Sequence, residues 1–322
     1  MAQGTSIRIS EVIRPADSLP SAIDAFMVFC RAKNLSENTL LYYRYRLDSF
    51  QRFLAKHTGI SAPRDVTRQT IREFLNVEMN EHSPTTANHS VITLKAFFGF
   101  LLEEGFLDNN PSAGISKIRC KKRLIETFSA EQVEAMLATC NKSFQGIRDK
   151  AMILILYDCG LRASELCDIR LESIDWYAQT ISVIGKGDKE RLVSFGKATR
   201  LALAQYIARR PEVEASQLFI TCYGDPLERH RLGAVIKKRC KQAGITGVRC
   251  SPHTLRHTFA VNYLRAGGDV FSLQKILGHS DLTMTRRYCE LSQTDALERH
   301  RMYSPADRLQ SPKPTGRRKR IA

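Results

Sequence analysis

Apolar residues recur at three- and four-residue steps through the first hundred positions, and polar cap residues mark where each run begins. Asp17 and Ser18 precede Pro20 as cap and early-turn residues, predicting a helix through Phe26 and Phe29. Ser36 opens a second, with Leu40, Tyr43, Leu47, Phe50 and Leu54 on one face. Thr67 opens a third with Ile71, Phe74 and Leu75 inward. Ser83-Pro84 opens a fourth that runs to Glu104 before Gly105, with Val91, Leu94, Phe97, Phe98 and Leu101 as its stripe. Four amphipathic helices in about 90 residues predict a compact helical domain.

The period changes after Asn110-Pro111. A stretch poor in apolar residues and rich in charge follows (Lys117, Arg119, Lys121, Lys122, Arg123), and it reads as an interdomain linker. Ser129 with Gln132 is a capping box that starts a second domain. Helices are expected over about 130–140 and, mostly buried, 146–158. Gly160–Leu166 reads as a turn into a short helix. Thr180–Ile184 and Arg191–Phe195 alternate as strands around Gly185–Lys189, a hairpin pattern, and Leu218–Ile220 is a candidate third strand. Helices follow at about 198–209, 229–243, 252–266, 269–278 and 281–290. The expected organisation is a leader at 1–17, a helical domain at 18–108, a linker at 109–127, a second domain at 128–303 and a tail at 304–322.

Composition narrows the class. The chain has 322 residues, 43% apolar and 25% charged, which fits two globular domains and excludes global disorder. The longest apolar run, Ala151–Tyr157, is far short of a membrane span, and Met1–Pro20 holds no secretory h-region. Nine scattered Cys without a Cys-x-x-Cys pair read as reduced thiols in the cytoplasm. Lys and Arg number 49 against 33 Asp and Glu, a net charge of +16. The final segment, 311–322, holds five basic residues and no acid, and subtracting these five leaves +11. A polyanion partner is therefore expected, nucleic acid above all.

Several polar residues stand where a structural role is hard to supply. Arg162 and Glu165 lie three apart on one helix face. His253, Arg256 and His257 share one helix; the two His at i and i+4 lack the Glu of a metalloprotease helix. Lys186 sits between two glycines at the hairpin tip, His279 follows Gly278, and Tyr288 lies nine residues further on. Taken one at a time, these are a surface ion pair, a solvated turn and core or cap histidines.

Taken together they resemble the tyrosine recombinases, the integrase-type site-specific recombinases, in a Xer-like two-domain form. The matching strings are Leu156-Tyr-Asp-Cys-Gly-Leu-Arg-Ala-Ser-Glu-Leu166, Gly185-Lys-Gly-Asp-Lys-Glu-Arg191, His253-Thr-Leu-Arg-His-Thr-Phe-Ala260, Leu273-Gln-Lys-Ile-Leu-Gly-His-Ser280 and Thr285-Arg-Arg-Tyr288. The resemblance implies a mostly α fold with a small β-sheet in the catalytic domain. It also implies a C-shaped DNA clamp of helical core-binding domain and catalytic domain. It puts the catalytic arginines at Arg162 and Arg256, the hairpin lysine at Lys186, the histidines at His253 and His279, and the nucleophile at Tyr288, with Glu165 supporting Arg162.

The implied reaction suits these residue types. Two planar guanidinium groups clamp the charge that builds up on an attacked phosphodiester. The tyrosine, whose free pKa is near 10, loses its proton during attack. His253 serves as base or charge stabiliser, and Lys186 protonates the leaving 5′-oxygen. A 3′-phosphotyrosyl ester conserves the bond energy, so neither metal nor ATP is implied, and no nucleotide-binding Gly-x-x-x-x-Gly-Lys-Ser/Thr loop is present. The implied partners are duplex DNA with paired sites, a homotetramer or a heterotetramer with a related recombinase, and in some systems an accessory DNA-bending protein. No cofactor and no membrane are expected. Integration or excision of a mobile element, cointegrate resolution and chromosome-dimer resolution all fit. A catalytically silent DNA-binding regulator would not need the intact set of six. A type IB topoisomerase-like enzyme would act without site pairing, and a metal-dependent transposase would need a carboxylate triad.

Overall fold

Of the four α-helices described within residues 17–103, three start at a side chain that accepts from an open N–H group. Ser18 accepts from the Ser21 N–H at the head of α1 (Leu19–Ala32). Ser36 precedes α2 (Glu37–His57) without capping its backbone; its hydroxyl pairs with Thr39 instead. Thr67 and Thr70 form a reciprocal capping box on α3 (Arg68–Glu81), and Ser83 caps α4 (Pro84–Glu103). The structure, a computed structural model, describes residues 17–120, 125–185 and 189–278, and positions 285, 288, 300, 304 and 306.

The chain divides into two units, residues 1–123 and 124–322. In the first, α1–α4 close on an aromatic core in which Phe26, Phe50, Phe74, Phe97 and Phe98 are fully buried. One acid lies inside it: Glu78 accepts from Arg46, Ser49 and Ser90, so its charge is matched and hydrogen-bonded. After α4 the chain stays on this unit as far as Ile118, whose N–H and C=O both bond the Asn88 side-chain amide.

The second unit is built around α6 (Phe144–Cys159), whose Ala151, Met152, Ile153, Ile155 and Leu156 are all buried. Around it pack α5 (Ala130–Ala138), α8 (Lys197–Ile207), α9 (Arg229–Gln242) and α10 (Pro252–Arg265). The short α7 (Ala163–Asp168) follows α6, and α11 (Val270–Leu277) follows α10. Asp149 on α6 is fully enclosed and neutralised by two guanidiniums, Arg148 at 2.8 Å and Arg239 at 2.7 Å. No helix among the described residues is long and apolar enough to cross a membrane.

The sheet is antiparallel, in the order β1 (Ile174–Asp175), β2 (Thr180–Ile184), β3 (Glu190–Ser194). Ile181 pairs with Val193 and Val183 with Arg191, so these four face the same, inner side. The third strand is therefore not Leu218–Ile220. That run is fully buried, but it makes only an isolated bridge from Ile220 to Pro226, flanked by hydrogen bonds from the Leu227 N–H to the Phe219 carbonyl and from the Thr221 N–H to the Asp225 carbonyl. The expected helix at 281–290 lies outside the described residues except at Thr285 and Tyr288, both helical and buried.

Two glycines end the helices that matter most here. Gly160 closes α6 at φ 61° and Gly278 closes α11 at φ 62°, both left-handed. At Gly160 a Cβ would run into the Phe259 ring of α10 and lie 2.9 Å from Leu277. Gly160→Ala should lower stability by more than the ~1 kcal/mol that a left-handed backbone costs an L-residue, because that overlap adds to it. Thermal unfolding of the full chain measures this, and an unchanged Tm would refute the packing argument.

Candidate active site

Arg162 does not sit on the face of α7. It is the residue just before the helix, with extended backbone, and Glu165 at the third helical position reaches back to it. The Glu165 carboxylate accepts from the Arg162 N–H at 2.8 Å and from its guanidinium at 2.6 Å. The second Arg162 guanidinium nitrogen donates to the Gly278 carbonyl at 3.0 Å. Arg162 is thus fixed at both ends, while about a third of its side chain stays exposed.

A third residue completes this cluster. Arg191 donates to both oxygens of Glu165, at 2.9 and 2.8 Å, and through Nε to the Ile276 carbonyl at 2.8 Å. It ties the hairpin strand β3 to α7 and to the end of α11. The sequence reading did not single it out. A signal was present: Arg191 shares the inner face of β3 with Val193, where an arginine needs a buried partner.

Arg256 lies on α10 and is almost completely buried. Its guanidinium donates to the Gly160 carbonyl at 2.7 Å and to the Leu277 carbonyl at 2.8 Å, and lies 3.8 Å from Glu165. Burial, followed by the charge of Arg162, lowers its pKa to about 10, so it stays charged at neutral pH. Burial alone would raise the Glu165 carboxyl. Hydrogen bonds from Arg191 and the Arg162 backbone, with the arginine charges, outweigh this and hold it at about 2. Partial burial, then Arg256, Arg249 and Arg162, push the His253 imidazole below its ordinary pKa, favouring the neutral ring at pH 7.

Tyr288 is 4% exposed, its ring set among Ala260, Val261, Leu264, Leu273 and Leu277. Its hydroxyl is 2.7 Å from His257 Nδ1, and the His257 ring meets the His253 ring edge-on at 4.2 Å. The structure therefore gathers Arg162, Glu165, His253, Arg256 and Tyr288 and adds Arg191 and His257. Lys186 and His279 lie outside the described residues. Lys186 belongs to the β2–β3 connection, and His279 follows the Gly278 turn. A cleft of about 470 Å³ opens beside Arg162, lined also by Ser164, Glu165, Asp168 and Arg170. Among the described residues, no three His, Cys, Asp or Glu side chains gather as metal ligands.

Residues 126–294 match the phage integrase family, and residues 23–105 match the phage integrase N-terminal SAM-like domain. Tyrosine recombinase XerD of Listeria innocua serovar 6a (strain ATCC BAA-680 / CLIP 11262) is 30% identical over 292 residues, 88% of this chain and 98% of that protein. The chain belongs to the phage integrase family of tyrosine recombinases. It is a tyrosine site-specific recombinase, with the mostly helical two-domain fold and small sheet of that family. Solved structures agree on the fold. The XerH site-specific recombinase in a post-cleavage complex with palindromic difH substrate has a TM-score of 0.71 at 20% identity, covering 89% of this recombinase and 85% of that chain. A lambda integrase tetramer bound to a Holliday junction has a TM-score of 0.70 at 19% identity, covering 85% and 78%.

The Glu165 cluster makes this recombinase acid-sensitive in a defined window. A carboxyl depressed from 4.5 to about 2 in the folded state contributes stability that is complete above pH 4.5 and is lost as pH falls towards 2. The contribution is on the order of 3 kcal/mol. Glu165→Gln should lower stability at pH 7, since it leaves Arg162 and Arg191 without their counter-charge. It should also flatten the fall in stability between pH 5 and pH 2, measured by urea unfolding of both proteins. Parallel pH curves would refute the assignment.

Proposed function

We propose that this recombinase cuts and rejoins duplex DNA at paired sites through a 3′-phosphotyrosyl link to Tyr288 and a Holliday junction, acting as a tetramer. The observation that carries the reading is that the Tyr288 hydroxyl and the Arg256 guanidinium converge on one helix, α10, beside Arg162. A phosphodiester placed there meets two guanidiniums as charge builds on its non-bridging oxygens, and a phenol is at hand to attack. Backbone carbonyls hold both arginines in place, so little rearrangement is needed when charge develops.

In this reading, His253 stabilises the phosphoryl oxygens, helped by its neutral ring as a hydrogen-bond donor. His279 joins it from the turn after α11. Lys186 reaches the leaving 5′-oxygen from the hairpin and protonates it. Residues 18–108 form the core-binding domain and 128–303 the catalytic domain, with the basic stretch at 109–127 between them along the DNA backbone. The lambda integrase tetramer on a Holliday junction supports the assembly proposed here. Mobile-element integration or excision, cointegrate resolution and chromosome-dimer resolution share this chemistry, and the partner is a second copy or a related recombinase.

The test uses a duplex selected for binding from a randomised pool, with a nick that traps the cleaved state. Tyr288→Phe should bind this DNA normally and form no covalent adduct. An adduct that persists, mapped to another tyrosine, would overturn the assignment. Arg256→Lys keeps the charge and loses the two-pronged geometry, so cleavage should fall by at least ~10²-fold with affinity nearly unchanged. Near-normal cleavage by the Lys variant would make Arg256 structural.

A further inference from the structure

His257 is absorbed by none of the roles above, yet its ring is in contact with the Tyr288 hydroxyl. Its Nδ1 lies 2.7 Å from the Tyr288 hydroxyl, a hydrogen-bond distance. The Tyr288 ring is held by the aliphatic side chains of α10 and α11, so its hydroxyl is aimed rather than free to swing. His257 follows Arg256 directly and lies one turn after His253 on the same rigid helix. It stands edge-on to His253 and is only partly buried, so a proton taken up there has a route to solvent.

We propose that His257, rather than His253, is the base that takes the Tyr288 proton. This rests on Tyr288 being the nucleophile. During cleavage the phenolic proton passes to His257 Nδ1 as the Tyr288 Oη–P bond forms. The P–O5′ bond breaks, and the 5′-oxygen takes a proton from Lys186. In rejoining, the 5′-hydroxyl gives its proton back to Lys186 as its oxygen attacks phosphorus, the phosphotyrosyl bond breaks, and His257 returns its proton to Tyr288. The assignment leaves His253 to the phosphoryl oxygens and divides the two histidines of one helix between two tasks.

The experiment measures single-turnover cleavage of the nicked duplex by the full chain. His257→Ala and His257→Gln should bind DNA as the parent does and cleave about 10²-fold more slowly, the low end of what a lost general base costs. Glutamine can accept the same hydrogen bond but cannot take the proton, so it should not restore the rate. A second arm puts a fluorinated tyrosine at position 288, whose more acidic phenol needs less help to ionise. There the gap between parent and His257→Ala should shrink towards one. Equal or faster cleavage by His257→Ala would overturn the proposal, the faster result marking His257 as a latch on the tyrosine. A gap of unchanged size with fluorotyrosine would overturn it too, leaving His257 a structural contact. These results are separable from failure of the broader reading, because a Tyr288→Phe protein that still forms an adduct refutes the nucleophile itself.

Discussion

Three guanidiniums crowd one buried carboxylate in this protein, and the rest of the catalytic unit is arranged to tolerate it. Glu165 offsets only one of the three charges of Arg162, Arg191 and Arg256. The remaining hydrogen-bond capacity is met by carbonyls at two helix ends: Gly160 after α6, and Ile276, Leu277 and Gly278 at the end of α11. Those carbonyls have no intrahelical partners, and a helix C-terminus carries partial negative charge. The arginines therefore serve as caps for the helices, and the helices orient the arginines. The positive charge left over is the complement of a phosphate.

That arrangement depends on two left-handed glycines. Gly160 and Gly278 turn the chain back at the helix ends and leave the carbonyls facing the arginines. Gly160 also lets α6, α10 and α11 approach more closely than any side chain would allow. The same three helices support Arg256 and the apolar bed of Tyr288, so the two side chains share one piece of packing.

The unit holds a second carboxylate–arginine cluster that shows what separates structure from chemistry. Asp149 also gathers two guanidiniums at short range, but Arg148 and Arg239 are enclosed and spend other donors on the Ile220 and Thr139 carbonyls. The cluster has no open side and reads as an internal tie between α6, α9 and their neighbours. At Glu165 the same ingredients border an open cleft, and Arg162 is partly exposed. Exposure towards a place where a ligand fits, more than residue type, makes the Glu165 cluster a candidate site.

The helices were legible in the sequence because their signals are local: a cap residue, a period near 3.6 and a terminating glycine act within a few positions. The five strings resembling the recombinases likewise announced Arg162, Glu165, His253, Arg256 and Tyr288. Short strands were harder. The fully buried run Leu218–Ile220 carries a strong apolar signal but no ladder, whereas the two-residue β1 carries almost none. Arg191 and His257 stood in the quoted strings without a role, because their partners lie 26 and 31 residues away along the chain. The sequence alone pointed to a tyrosine recombinase and marked where most of the described helices begin. Only the tertiary structure decided which arginine holds which carbonyl and which histidine meets the tyrosine, because those contacts are set by helices packing across long stretches of chain.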